Sequence, residues 1–312
     1  MSKAPFPIDP VLTGITLAYR NRALIADSVL PRLTPMGKEE FKYKKWNIEE
    51  GFTIPDTKVG RKSEPNEVEF AATEVTASTE DYGLDDIIPF NDIANAAGSL
   101  DPVGHATEML TDLVLLDREV RVAGLVFAAA TYDTGLKVQL SGTSQWSDFV
   151  NSDPIGDIQA GLDAPIMRPN VMVIGRPAFS KLIQHPDINK AVNGTAGDTG
   201  IVRRNQIAEL FELDEVVVGE PFQNTAKKGQ TASYARVWGK HAALIHRDPL
   251  ATSPMSDRVT FGWTAQYGTR VAGQIAEPKK GIRGSIRVRV GEGVKEVIVA
   301  SQTGYFIEDA VA

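Results

Sequence analysis

The fold is decided by two charged segments, Gly37-Lys-Glu-Glu-Phe-Lys-Tyr-Lys-Lys-Trp46 and Glu67-Val-Glu-Phe-Ala71. In both segments apolar and ionisable residues alternate, and a period of two predicts strands with one apolar face. The stretch between them, 55–65, is polar and contains Gly60, so we predict a turn there. Together they predict a long charged hairpin, and an isolated two-stranded ribbon is marginal in water. We therefore expect something outside this domain, another copy of the chain, to hold the hairpin in place.

The predicted hairpin is the candidate contact between subunits. Its basic residues are interleaved with acidic ones, which cancels the positive field that nucleic acid would need. We interpret it as an ion-paired arm that meets a partner of similarly mixed charge; the alternative is a solvated face with no partner. The residues predicted to make this contact are Phe41, Lys42, Tyr43, Lys44, Lys45, Trp46, Glu49, Glu50, Lys58, Arg61, Lys62, Glu67 and Glu69.

Length and composition favour a folded protein that does not enter a membrane. The chain has 312 residues, of which 42% are apolar and 23% charged, and its formal net charge is −7. No apolar run approaches the roughly 20 residues of a spanning helix. The first residues lack the apolar core of a signal peptide, so we expect the chain to stay in the compartment where it is made. The net charge argues against a protein that coats nucleic acid over its whole surface.

The search for chemistry finds no assembled site. The chain has no cysteine and four histidines, and no pair of histidines has metalloprotease spacing. Phosphate-loop, dinucleotide and nucleophile-elbow motifs are absent as well. Asp85 and Asp86 are neighbours on a predicted strand and point to opposite faces; we interpret them as solvated charge, with a Mg²⁺ or Ca²⁺ ligand role as the alternative. We predict a protein without catalytic residues, cofactor or metal.

Two other groups of polar residues have a predicted place in the fold. His185 precedes Pro186 at a predicted helix end, so we interpret it as a partner of the C-terminal helix dipole. Arg283, Arg287 and Arg289 alternate on one predicted strand and project to one face. Packing against acidic neighbours and facing an interior filled with nucleic acid both remain open for these arginines.

One long helix is predicted over 102–131, because Asp101 suits the N-cap and Pro102 the first helical position. We predict that its Arg118 and Glu119 lie on the polar side. A compact α/β unit is predicted over 153–250, and its short apolar run at 171–174 reads as a buried strand. The chain then turns to β structure, with two strands flanking a turn at 291–293. The residues predicted to form the apolar stripe of the long helix are Ala106, Leu110, Leu113, Leu116, Val120, Gly124 and Phe127.

The order of these parts resembles the major capsid proteins of tailed bacteriophages, which have the HK-ninety-seven-like fold. The likeness is strongest in Arg168-Pro-Asn-Val-Met-Val-Ile-Gly175, in Ile207-Ala-Glu-Leu-Phe-Glu-Leu-Asp-Glu-Val-Val-Val-Gly219 and in Val237-Trp-Gly-Lys240. The resemblance implies an α+β fold with an N-terminal arm (1–36), a β-hairpin extended loop (37–80), a peripheral domain (81–152) with a spine helix, an axial α/β domain (153–250) and return strands (251–312).

The resemblance also implies a function and partners. The chain would be a coat protein that self-assembles through capsomers into the icosahedral head of a phage, in the host cytoplasm. Its partners would be other copies of itself, the portal, scaffold or decoration proteins, and packaged double-stranded DNA bound non-specifically at the inner surface. An encapsulin-like shell that encloses cargo protein is the first alternative. A carboxylate-based metal-dependent enzyme that uses Asp85 and Asp86 is the second.

Overall fold

Short helices and strands alternate along the chain in the computed structural model, which describes residues 8–18, 24–46, 53–67, 72–96, 101–194, 200–256 and 258–312. The helices are α1 (Pro10–Ala18), α2 (Ala26–Val29), α3 (Phe90–Asn95), α4 (Pro102–Val126), α5 (Pro154–Asp163), α6 (Arg176–Leu182), α7 (Pro186–Asn193) and α8 (Arg204–Leu210). The strands are β1 (Glu40–Trp46), β2 (Ala72–Ser78), β3 (Glu80–Pro89), β4 (Lys137–Gln139), β5 (Val171–Gly175), β6 (Glu215–Gly219), β7 (Phe222–Asn224), β8 (Tyr234–Arg236), β9 (Ala242–Ile245), β10 (Gly262–Glu277), β11 (Ser285–Ile298) and β12 (Gly304–Glu308). Among these helices, none combines the length and the apolar character needed to span a bilayer.

The strands form two main sheets and two separate hairpins. An antiparallel sheet has the order β10-β11-β3, and a mixed sheet has the order β4-β12-β9-β5-β6. The hairpins are β1-β2 and β7-β8. Helix α4 connects the two main sheets, because Leu110 packs with Ile88 and Val290 at one end while Val126 packs with Val173 at the other. At 25 residues, α4 is about 37 Å long.

The mixed sheet contains the buried strand that the sequence predicts. All five residues of β5 are buried, and the prediction of a strand at 171–174 is confirmed. Met172 and Ile174 pack into one apolar cluster, whereas Val171 and Val173 pack into another on the opposite face. A strand covered on both faces needs apolar side chains at every position, which explains the unbroken apolar run.

The long helix begins where the sequence predicts but buries a different face. The Asp101 side chain accepts from the backbone N–H of Val103 at 3.1 Å, and Pro102 follows it. The helix ends at Val126 rather than near 131. Leu113 is 50% exposed, whereas Arg118 and Glu119 are buried, so the predicted stripe is wrong over the second half of the helix. Burying charge costs several kcal/mol unless the charge is paired, and partners distant in the sequence supply that pairing here.

Strand β11 corrects the predicted turn at 291–293, since it runs without interruption from Ser285 to Ile298. Gly291 lies opposite Gly83 in the neighbouring strand. A Cβ atom at Gly291 would lie 3.0 Å from the carbonyl oxygen of Tyr82, which is tighter than most real contacts. Glycine is therefore explained by the close approach of two strands rather than by a turn.

The N-terminal part of the chain contains two short helices in the residues that the structure describes. Helices α1 and α2 are separate, and residues 19–23 between them lie outside the described residues. After α2 the chain runs beside β10, with parallel bridges from Arg32 to Thr264 and from Met36 to Tyr267. This places the start of the hairpin next to the antiparallel sheet.

Candidate assembly interface

The predicted hairpin forms. Its base, by which we mean the paired residues 40–46 and 72–78, packs on its own chain. Strand β1 pairs antiparallel with β2, from Glu40 opposite Ser78 to Trp46 opposite Ala72. The ring centroids of Phe41 and Tyr43 lie 5.9 Å and 5.6 Å from that of Trp263 in β10. Phe41 is buried in this cluster. The expectation that only another copy could hold the hairpin is therefore wrong for its base.

The structure describes the second strand of the hairpin over Ala72–Ser78. The strand predicted from the sequence is the segment 67–71. Of that segment, Glu67 is exposed, and 68–71 lie outside the described residues. Glu49, Glu50 and Glu69 are outside them too, so their predicted contacts stay predictions.

The charges at the base of the hairpin pair within the hairpin. Lys42 Nζ lies 3.1 Å from the carboxylate of Glu74 on the opposite strand. Lys45 is exposed on the same strand. Exposed pairs of this kind contribute about 0–1 kcal/mol. The mixed charge of the hairpin is thus used in part inside one subunit.

The distal loop (53–67) differs from the described strands of the hairpin, which contain buried and half-buried residues. Every residue of this loop is exposed, and the predicted contact residues Lys58, Arg61 and Lys62 are among them. Ile54 is 91% exposed. The loop has local order at its end, because the Asn66 side chain donates to the Asp56 carbonyl at 2.8 Å. The described loop therefore presents Ile54 and the basic side chains of Lys58, Arg61 and Lys62 to solvent.

Asp85 is exposed on β3, as the sequence suggests, but it also belongs to an ion-pair cluster. Its carboxylate accepts from Arg289 at 2.7 Å and from Arg287 at 3.0 Å. These arginines lower the pKa of Asp85, with the Arg289 hydrogen bond as the largest cause. For Arg287 and Arg289 the structure selects packing against acidic neighbours, while Arg283 precedes β11 and is exposed. Within the described ranges, no three His, Asp or Glu side chains converge on a possible metal position.

His185 is a buried N-cap of α7, which corrects the prediction that it is a partner of the C-terminal helix dipole. Its Nδ1 accepts from the backbone N–H of Asp187 at 3.3 Å, in the first turn of α7. The ring hydrogen is therefore on Nε2 and is donated to Ser152 Oγ at 3.1 Å. Ser152 in turn donates to the Asp148 carbonyl at 2.6 Å.

Ser152, His185 and Asp187 thus have the composition of a catalytic triad but the opposite direction of hydrogen bonding. A nucleophilic serine donates its proton to histidine, whereas Ser152 accepts from His185. Both Ser152 and His185 are also buried, so a substrate has no access. This arrangement stabilises the start of α7 instead of activating a nucleophile.

Protonation of His185 predicts an acid-sensitive contribution to stability. Burial lowers the pKa of His185 below 6.5, against the opposing charge of Asp187. A lowered folded-state pKa stabilises the protein fully above about pH 6.5, and that stabilisation is lost as the pH falls from there through the folded pKa. His185→Asn keeps an N-cap acceptor but removes the ionisable ring. In this pH window we expect its free energy of unfolding to change less with pH than that of wild type. The two slopes should differ by up to about 1.4 kcal/mol per pH unit.

Urea denaturation between pH 7 and pH 5 measures this difference. His105→Asn is the control, because His105 is exposed on α4. The control should reproduce the wild-type pH dependence. Equal pH dependence of His185→Asn and wild type would contradict the assignment.

Comparison with known proteins identifies the family. No protein-family model matches the chain. The major capsid protein of Pseudomonas phage JBD67 is 54% identical over 312 residues, which cover 100% of both chains. The chain belongs to the major capsid proteins of bacteriophages. The resemblance read from the order of its motifs is thereby confirmed.

Solved structures support the same fold. A crystal structure of a phage-related protein from Bordetella bronchiseptica RB50 is similar at 22% identity and a TM-score of 0.74, over 98% of both chains. The capsid structure of the cyanophage P-SCSP1u is similar at 10% identity and a TM-score of 0.58, over 93% of this chain and 89% of that one. The predicted α+β, HK-ninety-seven-like fold is confirmed.

Sequence reasoning missed Trp263, the residue that anchors the hairpin. A signal was present in the sequence, because Phe261, Trp263 and Ala265 recur at every second position, and all three are buried. Matching their apolar face with that of Phe41 and Tyr43 would have predicted docking within one chain. The sequence does not show which strand faces the hairpin, so this choice required the structure.

Proposed function

We propose that this capsid subunit assembles through repeated head-to-tail contacts into the icosahedral head shell of a tailed phage, which encloses double-stranded DNA. In this proposal the distal loop lies on a neighbouring subunit. The observation that carries it is the contrast between the two ends of the hairpin. The base is packed on Trp263, whereas every residue of 53–67 is exposed. A fixed base with an uncovered end reaches beyond the subunit at little entropic cost.

Head-to-tail contacts of this kind close into rings when the rotation between subunits permits. Each exposed ion pair adds about 0–1 kcal/mol, so a single contact is weak and reversible. A shell repeats the contact many times and becomes stable as a whole. The domain division into arm, extended loop, peripheral domain, axial domain and return strands is part of this proposal, as are a portal, scaffold or decoration proteins and assembly in the host cytoplasm.

The inner-surface contact with DNA is proposed to be weak and non-specific. The net charge is −7, and Arg287 and Arg289 are engaged by Asp85. Non-specific binding through phosphates requires basic side chains and falls steeply with salt. The enclosed DNA is thus held mainly by the closed shell rather than by tight binding to each subunit.

Electron microscopy of the purified protein, expressed alone and concentrated, tests this function. We expect shells, open sheets or rings of capsomers, because the contacts are built into one chain. Sedimentation of the same sample should show large species that dissociate on dilution. A strict monomer at high concentration in both measurements would count against self-assembly.

A further inference from the structure

Two consecutive buried residues of α4 hold the segment 24–36, which we call the inner arm. Arg118 is 1% exposed and Glu119 is 0% exposed. The inner arm contains α2, a helix of four residues that has no capping side chain of its own at its N-terminus. A helix this short is unstable alone. Its place in the subunit therefore depends on what α4 supplies.

Glu119 binds the N-terminal end of α2. One carboxylate oxygen accepts from the backbone N–H of Ala26 at 2.8 Å, and the other accepts from that of Ile25 at 2.8 Å. Arg118 holds the other end, since its guanidinium donates to the Leu30 carbonyl at 3.1 Å. Consecutive residues of one helix thus satisfy backbone groups at both ends of another.

Glu119 also binds the lobe built on the mixed sheet. The indole N–H of Trp238 donates to its carboxylate at 2.5 Å. Trp238 is completely buried, and a Cβ atom at Gly219 in β6 would overlap its ring. The indole is therefore fixed relative to the sheet. One carboxylate joins three parts of the subunit: the inner arm, the long helix and the mixed-sheet lobe.

Buried charges of this kind are a poor source of stability, because the desolvation cost offsets the attraction. They do restrict geometry, since each lone pair must meet its own donor. The three donors to Glu119 come from two elements that are far apart in the sequence, at Ile25, Ala26 and Trp238. Only one relative placement of those elements satisfies all three.

We propose that Glu119 is a positioning residue for assembly: it fixes the inner arm and the mixed-sheet lobe in the relative orientation that a subunit presents to its neighbours. This inference rests on the proposed self-assembly. It adds that the shape of the shell depends on a contact inside the subunit. Subunits in which this placement varies without control would meet their neighbours at varying angles and therefore form shells of varying diameter.

The test uses four variants of the full chain, three single and one double, and two measurements. Glu119→Gln keeps the volume but replaces one acceptor oxygen with an NH₂ group. At least one of the three donors is then unpaired, because Ile25 and Trp238 donate to one oxygen and Ala26 to the other. Trp238→Phe keeps a ring against Phe127 but removes the indole N–H together with part of the buried ring volume, since phenyl is smaller than indole. Glu108→Gln is the matched control, the same change at an exposed position of the same helix. Hydrogen exchange is measured on unassembled subunits, and shell diameter by electron microscopy.

For Glu119→Gln we expect the amides of Ile25 and Ala26 to exchange about tenfold faster or more, with unchanged exchange in β5. For Trp238→Phe we expect more than about twofold faster exchange at the same amides, and no added effect in the Glu119→Gln background. Both single variants should give fewer closed shells and a broader range of diameters. The control should match wild type in both measurements.

Two results would overturn the inference and leave self-assembly intact. The first is wild-type exchange at Ile25 and Ala26 in both single variants. The second is faster exchange together with closed shells of wild-type diameter and yield. If Glu119→Gln does not fold, Trp238→Phe alone decides between these outcomes. Failure of wild type and Glu108→Gln to assemble would instead overturn the proposed function, and the positioning role with it.

Discussion

Replacing residues 47–71 with Asn-Gly is expected to give a folded monomer that no longer assembles. The change links Trp46 to Ala72 through a two-residue turn that suits a hairpin. These are the last residues of β1 and β2 that the structure describes as paired. Phe41 and Tyr43 keep their contacts with Trp263, so the antiparallel sheet is undisturbed. Only the part of the hairpin proposed to reach a neighbour is lost. A deletion of 42–67 would also remove Tyr43. Loss of the contact with a neighbouring subunit could then not be separated from loss of packing on Trp263.

Sedimentation and electron microscopy measure assembly, and near-ultraviolet circular dichroism measures the fold of the same samples. The matched control applies the same operation to a second exposed loop: Asn-Gly replaces 225–233 between Asn224 and Tyr234, which are paired in β7 and β8. The control is expected to assemble. Closed shells from the 47–71 variant in wild-type yield would show that assembly does not depend on a contact between the distal loop and a neighbouring subunit.

Local patterns predicted the elements whose environment is set by nearby sequence. The alternation around Phe41 predicted β1, Asp101 and Pro102 predicted the start of α4, and the apolar run at 171–174 predicted β5. In each case one short segment carries both the signal and the reason for it. The order of such segments was enough to predict the family.

The failures share a different cause, because each depends on a partner far away in the sequence. We predicted a turn at Gly291. Glycine is needed there instead because the strand that contains Gly83 lies so close. We predicted that Glu119 lies on the polar side of the helix. The groups that donate hydrogen bonds to its carboxylate are at positions 25, 26 and 238, far away in the sequence. We predicted that His185 lies at the end of one helix, whereas it caps the start of the next. The residue that fixes its ring in a buried site, Ser152, is distant in the sequence. A single sequence gives no pairing of this kind.

Trp263→Ala is expected to destabilise the protein strongly and to release the hairpin. Trp263 is 4% exposed and packs against Phe41 and Tyr43. Removing a buried tryptophan costs about 3–5 kcal/mol, from lost transfer energy and the cavity that remains. The base of the hairpin loses its only aromatic partner outside β1 among the described residues. Urea denaturation measures the free energy of unfolding, and limited trypsin digestion measures cleavage after Lys42 in β1.

Trp146→Ala separates release of the hairpin from general loss of stability. Trp146 is completely buried in the mixed-sheet lobe, where its indole N–H donates to Asp157 at 2.9 Å. Its removal should cost a similar free energy, about 3–5 kcal/mol, while Lys42 stays as resistant to trypsin as in wild type. Trypsin sites in the exposed distal loop, Lys58, Arg61 and Lys62, are expected to be cleaved in every variant. Trp263→Ala should in addition be cleaved after Lys42, under conditions in which the chain outside the hairpin is intact. Equal cleavage of both variants would mean that Lys42 reports only global unfolding. Resistance of Lys42 in Trp263→Ala would mean that contacts other than those with Trp263 hold the base of the hairpin.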